Sequence, residues 1–242
     1  MELKETVFDL GRMRWNATKN ENGEVLYLSK TLHEDEETGM LITYIRFPAN
    51  CPGVCQKFNC DTWVYVLKGQ LLTDNELYGK DTLIKYPEGI ITKNGADEYD
   101  DAEVLLISSK EFKPEIADEA AAKECTLEKE IQDVKGTPWF YRATSTDGKI
   151  HGRKSLVLDE KTGIQINYMN YPAGFTTYKH THTAGHAFLV LSGQLRSDDD
   201  TYGPGTFIWY PEGMVAEHGA TAYEDFICLQ ISNKSFSINY IK

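Results

Sequence analysis

Four of the six histidines in this chain lie close together in the sequence, at His180, His182, His186 and His218. Side chains two residues apart on an extended strand point to the same face, so His180 and His182 project together, about 6.5 to 7 Å apart. Neutral imidazole suits Zn, Fe, Cu and Ni, whereas Ca and Mg prefer oxygen ligands. The histidine pattern therefore predicts a site for one transition-metal ion.

The sequence around these histidines predicts the strands that position them. His186 follows a short Thr-Ala-Gly turn and heads the apolar run AFLVLSG, in which Phe188 and Val190 alternate with two leucines. This alternation is typical of a β-strand. Imidazoles from two adjacent strands can then converge on one ion, with His218 arriving from a later turn.

The spacing resembles the two sequence motifs of the cupin superfamily, G-x5-H-x-H-x3,4-E-x6-G and G-x5-P-x-G-x2-H-x3-N. Several fixed gaps agree at once. The matching positions are Gly174, His180, His182, His186, Gly193, Gly205, Pro211 and Gly213, with His218 close to the last motif position.

Two positions depart from the cupin pattern. His186 stands where most cupins have Glu, which is similar to the all-histidine iron sites of cupin dioxygenases that cleave acetylacetone or dihydroxyacetophenone. His218 comes two residues later than the usual ligand position, which is Ala216. A two-residue shift keeps the same strand face, so His218 remains the expected fourth ligand.

The resemblance implies one divalent transition metal per chain, with Fe(II) expected and Zn, Ni, Cu or Mn as alternatives. Neutral histidine ligands leave the ion its full charge, which suits an anionic chelating oxygen ligand such as the enolate of a small carbonyl compound. The expected activity is that of a mononuclear non-haem metal dioxygenase. The expected partner is a small molecule.

Strand parity predicts an aromatic pocket around the ion, lined by Tyr178, Phe188, Trp209 and Tyr168. Each of these side chains, taken singly, also fits the core of a barrel. Glu217 is the acid beside His218, and it is a candidate proton acceptor, an alternative ligand to His218 or a surface residue. His33 and His151 stand outside both motifs and are interpreted as surface residues.

The chain aligns with itself when it is shifted by 124 positions, without any gap. A period of this length, with matching turn and aromatic residues, indicates a duplicated domain. The matched pairs include Trp15 with Trp139, Asp35 with Asp159, Gly69 with Gly193, Tyr86-Pro87-Glu88-Gly89 with Tyr210-Pro211-Glu212-Gly213, and Ile107-Ser108 with Ile231-Ser232.

The first copy lacks every candidate ligand of the second. Gln56, Phe58, Thr62 and Asn94 occupy the equivalent positions, while the Gly, Pro, Trp and Tyr framework is kept. The ligand set is therefore separable from the fold, which favours a dedicated site in the second copy.

Three cysteines, Cys51, Cys55 and Cys60, surround the equivalent of the metal site in the first copy. Their spacing is unlike common zinc motifs, and strand alternation turns Cys55 and Cys60 to opposite faces. Buried free thiols are the preferred interpretation, with a thiolate zinc site as the alternative.

Short strand patterns separated by Gly, Pro, Asn and Asp predict an all-β protein of two tandem jelly-roll barrels, a bicupin. The predicted parts are an N-terminal barrel over residues 1–112, a short helical linker over 113–127 and a metal-binding C-terminal barrel over 128–242. The linker is predicted to be helical because 116–129 is rich in Ala, Glu and Lys and lacks Gly and Pro.

Composition excludes several classes of partner. The formal net charge of −12 disfavours nucleic acid and anionic membranes, which need clustered Lys and Arg. An odd number of cysteines and the absence of a signal-type apolar run predict a cytoplasmic protein. A homodimer is compatible with the fold.

Three other functions compete with a dioxygenase. The second barrel also resembles the cupin domain of zinc-binding anti-sigma factors, which implies a metal-binding sensor or regulatory module. Many small cupins are metal isomerases or lyases. A storage-type bicupin without chemistry is disfavoured by the retained histidines.

Overall fold

Short antiparallel strands joined by tight turns make up most of the chain in the computed structural model, which describes residues 3–143 and 148–241. The described residues divide into two units. One unit is Arg14–Lys135, and the other combines Met1–Met13 with Gly136–Lys242. They are called the N-terminal and the C-terminal unit below.

The elements of the two units alternate between apolar strands and polar turns. The first strand, β1 (Thr6–Asp9), belongs to the C-terminal unit. The N-terminal unit contains β2 (Asn16–Lys19), β3 (Val25–Glu34), β4 (Leu41–Phe47), β5 (Val54–Lys57), β6 (Thr62–Lys68), β7 (Gln70–Thr73), β8 (Glu76–Gly79), β9 (Thr82–Tyr86), β10 (Ile91–Ala96), β11 (Ala102–Ser108), β12 (Glu115–Ile116), α1 (Glu119–Glu124) and β13 (Glu130–Asp133). The rest of the C-terminal unit contains β14 (Phe140–Ala143), β15 (Ile150–Leu158), β16 (Gln165–Tyr171), β17 (His180–His182), β18 (His186–Ser192), β19 (Leu195–Ser197), β20 (Asp200–Tyr202), β21 (Thr206–Tyr210), β22 (His218–Ala220), β23 (Phe226–Ser232) and β24 (Ile238–Tyr240).

In the N-terminal unit a seven-stranded sheet has the order β13-β9-β6-β11-β4-β3-β2, and a five-stranded sheet has the order β12-β5-β10-β7-β8. Alternate residues of the large sheet, such as Val64 and Val104, pack with Leu71 and Ala96 of the small sheet in one buried cluster. Two sheets that enclose such a core form the predicted jelly-roll barrel.

The C-terminal unit repeats this design with the order β1-β21-β18-β23-β16-β15-β14 in its large sheet. Its smaller sheet is divided into β20-β19-β22 and the pair β17-β24. Phe188 and Val190 pack with Leu195 and Ala220 in the core between the sheets. The prediction of an all-β chain with two tandem jelly-roll barrels is confirmed.

The boundaries between the units differ from the predicted 1–112 and 128–242. The leading strand of each copy pairs with the barrel formed by the other copy: Thr6 of β1 lies opposite Trp209, and Glu130 of β13 lies opposite Lys85. Contacts therefore assign the start of the chain to the C-terminal unit. Strand pairing over such a sequence distance leaves no local pattern, so the sequence could not predict this exchange.

The predicted helical linker over 113–127 contains only the six-residue helix α1. Asp118 caps it, because its carboxylate accepts a hydrogen bond from the Ala121 amide. Strands β12 and β13 flank α1 and pair with β5 and β9. The segment is thus mainly part of the N-terminal unit. Within the described residues, no helix has the length and apolar composition that crossing a membrane requires.

Candidate metal centre

Strand β17 presents His180 and His182 on one face, with ring centroids 4.8 Å apart. Two backbone hydrogen bonds between His180 and Ala216 hold this strand beside the turn that leads into β22. His218 begins β22. Its backbone amide donates a hydrogen bond to the Thr177 hydroxyl, which holds this end of the strand in place. Its ring centroid lies 4.9 Å from that of His180.

One ligand nitrogen from each of His180, His182 and His218 can be chosen so that all three lie within 4.8 Å of one another. Nitrogens bound to a single ion at about 2.1 Å lie at most about 4.2 Å apart. Small ring rotations therefore suffice to bind a metal. All three side chains are buried, with 2%, 5% and 3% of their surface exposed, respectively.

The hydrogen bonding of the three rings fits a metal as the missing partner. The His180 Nδ1 donates to the Tyr178 carbonyl oxygen at 2.6 Å, which leaves Nε2 unprotonated in the neutral ring and free to coordinate. Both ring nitrogens of His182 and of His218 are buried without a hydrogen-bond partner among the described residues. Buried polar atoms of this kind require a partner.

Burial keeps the three imidazoles neutral, which is the form that binds metals. Desolvation, together with the smaller effect of the neighbouring His180, lowers the pKa of His182 to about 3. Desolvation also lowers the pKa of His180 and places that of His218 well below its usual value. No proton has to leave these rings at neutral pH before a metal binds.

His186, the fourth predicted ligand, lies outside this cluster of three donors. Its ring stacks on His182 with centroids 4.0 Å apart and an interplanar angle of 17°, and its other face stacks on Tyr210. The lone pair of an imidazole nitrogen lies in the ring plane, so two nearly parallel rings cannot direct lone pairs at one point. In this arrangement His186 supports His182, and its role as a ligand stays a prediction.

Beside the histidines lies a cavity of about 470 Å³ in the C-terminal unit. A space of this size fits a small organic ligand. Its walls come from β14, β15, β16, β23 and the segment after β23. The lining residues are Arg142, His151, Arg153, Gln165, Met169, Tyr171, Thr177, His180, His182, His218, Gln230, Phe236, Ser237, Ile238 and Tyr240.

The four aromatic residues predicted to line the pocket lie elsewhere. Tyr178 is half exposed and packs on Tyr240, while Phe188 is buried in the core against His218. Trp209 covers Gly185 on the other face of its sheet, and Tyr168 packs on Trp139. These four residues are not among those that line the cavity beside the histidines, and their contact with a substrate stays a prediction.

Glu217, the weak candidate for a catalytic acid or base, forms an ion pair with Arg196, with the Nη2 and Oε1 atoms 3.0 Å apart. The same guanidinium nitrogen donates to the Thr176 hydroxyl. Glu217 immediately precedes β22 and is not among the residues that line the cavity beside the histidines. The structure gives its carboxylate a structural partner rather than a place among the histidines.

The sequence interpretation missed most of the lining residues, including Arg142, Arg153 and His151. The histidine was interpreted as a surface residue, but it is buried and its ring stacks on Tyr171 with centroids 5.2 Å apart. A usable signal existed, because residues 142, 151 and 153 differ in type from their counterparts in the first copy, Thr18, Tyr27 and Ser29.

In the N-terminal unit the equivalent space is filled by aromatic side chains. Phe58, which replaces His182, packs edge-on against Phe112 with centroids 4.9 Å apart. Asn94, which replaces His218, accepts a hydrogen bond from the Tyr86 hydroxyl. The remaining cavity is about 20 Å³. At the position equivalent to the metal site, this unit therefore has room for little more than one water molecule.

All five cysteines are free, and Cys51, Cys55, Cys60 and Cys228 are buried. The Cys51 thiol donates to the Leu26 carbonyl oxygen, and burial raises the pKa of Cys55 and Cys60. Among the described residues, the three histidines form the one cluster of donor atoms suited to a metal. The buried thiols agree with the preferred interpretation of the cysteines.

Residues 130–236 match the ChrR cupin-like domain family. The second barrel therefore contains a cupin-like domain. Among proteins with curated descriptions, none has a significant match to the sequence of this chain.

Solved structures extend the comparison of the fold to both barrels of the chain. A candidate dioxygenase from Nostoc punctiforme superposes with a TM-score of 0.79 at 14% identity, over 100% of this chain and 88% of that one. Hazelnut (Corylus avellana) vicilin gives 0.63 at 9% identity, over 96% and 87%. A variant of Bacillus subtilis oxalate decarboxylase gives 0.63 at 12% identity, over 97% and 79%. At these identities the likeness concerns the fold.

Proposed function

We propose that this chain binds one divalent transition metal through His180, His182 and His218 and acts as a non-haem dioxygenase on a small enolisable carbonyl compound. The observation that carries the proposal is the set of buried imidazole nitrogens without partners beside a ligand-sized cavity. Fe(II) is the proposed ion. The structural likeness to a candidate dioxygenase supports the choice of reaction class.

The ion supplies a Lewis acid for an anionic oxygen ligand and, as iron, a site for O₂. Three neutral ligands leave open coordination positions for both, which a closed structural site lacks. Cleavage of one C–C bond with retention of both oxygen atoms turns a β-dicarbonyl compound into a carboxylic acid and an α-dicarbonyl compound. The substrate provides all four electrons, so no further reductant is needed.

The protein's own residues orient the ligands and shape the cavity. The Tyr178 carbonyl fixes the tautomer of His180. Phe236 stacks on His182 with centroids 4.9 Å apart, and Phe188 packs edge-on against His218. These aromatic contacts support the orientation of the two imidazole rings.

Oxygen consumption tests the proposal directly. Metal-free protein would be loaded anaerobically with Fe(II) and mixed with acetylacetone or an α-hydroxyketone under ¹⁸O₂. We expect substrate-dependent uptake of one O₂ per molecule cleaved, with one labelled oxygen in each product. His182→Phe, which copies Phe58 of the first barrel, should abolish uptake, and Gln56→Ala should not change it. Iron-loaded protein that consumes no O₂ with any enolisable carbonyl compound would contradict the dioxygenase assignment.

The match to the ChrR cupin-like domain favours a second candidate, a metal-binding sensor or regulatory module. A module of this type needs a tightly held ion but no turnover. Zinc at one equivalent per chain that resists chelators, together with no O₂ uptake after iron loading, would support this second function over the first.

A further inference from the structure

Strands β14 and β15 place two arginines and a histidine on the wall of the metal cavity. Arg142 lies directly opposite His151 in the antiparallel register, and Arg153 follows His151 by two residues. Directly opposed residues and residues two apart share one face of a sheet. All three side chains line the cavity together with His180, His182 and His218.

This wall is positively charged in a strongly acidic protein. The chain has a formal net charge of −12, yet the described lining of the cavity contains two arginines and no Asp or Glu. The Arg153 Nε is buried and lacks a hydrogen-bond partner among the described residues. Arg153 is partly buried and Arg142 is exposed, and a ligand that supplies negative charge fits the two guanidinium groups of this wall.

Comparison of the two copies indicates that the fold itself does not require this positively charged wall. On the outer face both copies keep a lysine over a tryptophan: Lys30 lies over Trp15, as Lys154 lies over Trp139. On the inner face the first copy has uncharged residues, and its Thr18 lies opposite Tyr27 just as Arg142 lies opposite His151. The arginines thus occur in the copy that has the three histidines and are absent from the copy that lacks them.

Other polar residues of the cavity follow the same division. Gln165 and Gln230 line the cavity of the C-terminal unit, and their counterparts in the first copy are Leu41 and Leu106. The inner face is therefore polar where a ligand has to be bound and apolar where the barrel only has to be filled.

We infer that Arg142, Arg153 and His151 form a carboxylate-binding subsite beside the metal centre, so that the substrate is a small carbonyl compound that also carries a carboxylate. The inference rests on the proposed function for the part that reaches the metal. The guanidinium fork binds a carboxylate through two parallel hydrogen bonds, and the neutral His151 adds a further hydrogen-bonding group. The carbonyl end of the same molecule then faces the three histidines.

Acetoacetate and acetylacetone provide a matched pair of probes, since they differ mainly by a carboxylate in place of a methyl ketone. Zinc-loaded protein binds them without turnover, so calorimetric titration can compare their affinities. We expect acetoacetate to bind at least about tenfold more tightly. Arg142→Gln and Arg153→Gln should each weaken acetoacetate binding at least about tenfold, and Arg153→Lys should weaken it less.

The control is Arg12→Gln, which removes an equal charge at an exposed position of the same unit. Equal affinity for the two probes, or equal effects of Arg12→Gln and Arg153→Gln, would overturn the subsite. Inorganic phosphate that competes as well as acetoacetate would overturn the assignment to carboxylates. Metal content and the titration of metal-free protein, measured for each variant, distinguish failure of the metal site from failure of the subsite.

Discussion

His218 is the residue on which the three-nitrogen cluster depends most, because it comes from a different strand than the other two ligands. Its ring packs edge-on against Phe188. Its backbone amide donates a hydrogen bond to the Thr177 hydroxyl, and that hydroxyl donates to the His218 carbonyl oxygen. Its position two residues beyond the usual one is compatible with the site, since the shift preserves the strand face.

Replacing His218 by Asn, the residue of the first copy, should remove one ligand without enlarging the side chain. We expect metal affinity to fall at least about a hundredfold, since loss of even an indirect supporting group costs 10- to 100-fold. Elemental analysis after dialysis would show far less than one metal per chain. Asn94→Ala is the matched control in the N-terminal unit, and equal metal loss in both variants would contradict the site.

His186→Thr, which copies Thr62, distinguishes three ligands from four. The stacked geometry with His182 predicts that this variant keeps one metal per chain. Loss of the metal from His186→Thr, in protein with unchanged circular dichroism, would instead establish His186 as the fourth ligand that the motif predicts.

His151 gives the metal-free protein a dependence of stability on pH. Burial and the charges of Arg142 and Arg153 lower its folded-state pKa to about 4, below the value near 6.5 of an unfolded chain. The unfolded state therefore binds the proton first, and stability is complete above about pH 6.5 and declines as the pH falls towards 4. Each such group contributes at most about 1.4 kcal/mol per pH unit.

His151→Tyr, which copies Tyr27, should reduce this decline in urea unfolding measurements between pH 6.5 and 4.5. Above pH 7 both proteins should show the same pH dependence, which serves as the internal control. Parallel curves over the acidic range would show that His151 is not neutral in the folded state.

At the level of strands and turns, Gly193 ends β18 where the chain passes close to another strand. Its φ is +69°, and a Cβ atom would lie 1.9 Å from the Asp225 carbonyl oxygen. Gly69 has the same φ and the equivalent contact with Asp101. The tight turn that leads into the small sheet is thus required by both copies.

Gly193→Ala should lower the free energy of unfolding by more than about 2 kcal/mol, because both the left-handed backbone and the contact oppose a side chain. Gly203→Ala is the control, since nothing lies within 4 Å of its Cβ position. Chemical denaturation of both variants checks the difference. A Gly193→Ala protein as stable as Gly203→Ala would contradict the close approach.

Strand patterns predicted the elements of the barrels better than the direction of their side chains. The alternation in HAFLVLSG correctly placed β18, and the glycine spacing correctly placed the turns around it. Tyr168 was assigned to the pocket, whereas Met169 and Tyr171 face it. The choice between two faces of a strand depends on the sheet that covers it, and neighbouring residues do not encode that.

Over the whole molecule, the internal duplication was the most informative sequence feature. It predicted two barrels and placed the candidate metal site in the second, where the three clustered histidines occur. It could not predict the exchange of β1 and β13, because pairing between distant segments follows from the assembled sheets. The alignment of the two copies also contains the differences in residue type at Arg142, His151 and Arg153. Their meaning becomes clear once the cavity is known.

The same comparison explains how one barrel can lose a site and keep its fold. The Tyr86 hydroxyl is hydrogen-bonded to the Thr73 hydroxyl and the Tyr210 hydroxyl to the Ser197 hydroxyl, so an equivalent buried hydrogen bond is present in both units. The first unit fills its centre with Phe58 and Phe112, whereas the second keeps histidines around open space. The candidate site is thus built from side chains that the barrel fold itself does not need.

Anomalous diffraction from crystals of anaerobically purified, metal-loaded protein, recorded at the absorption edge of the metal, tests the central claim most directly. We expect one strong peak per chain, about 2.0 to 2.2 Å from a nitrogen of each of His180, His182 and His218, and none beside Gln56, Phe58 and Asn94. Imidazoles of the second barrel that point away from one another with no peak between them would contradict the metal centre.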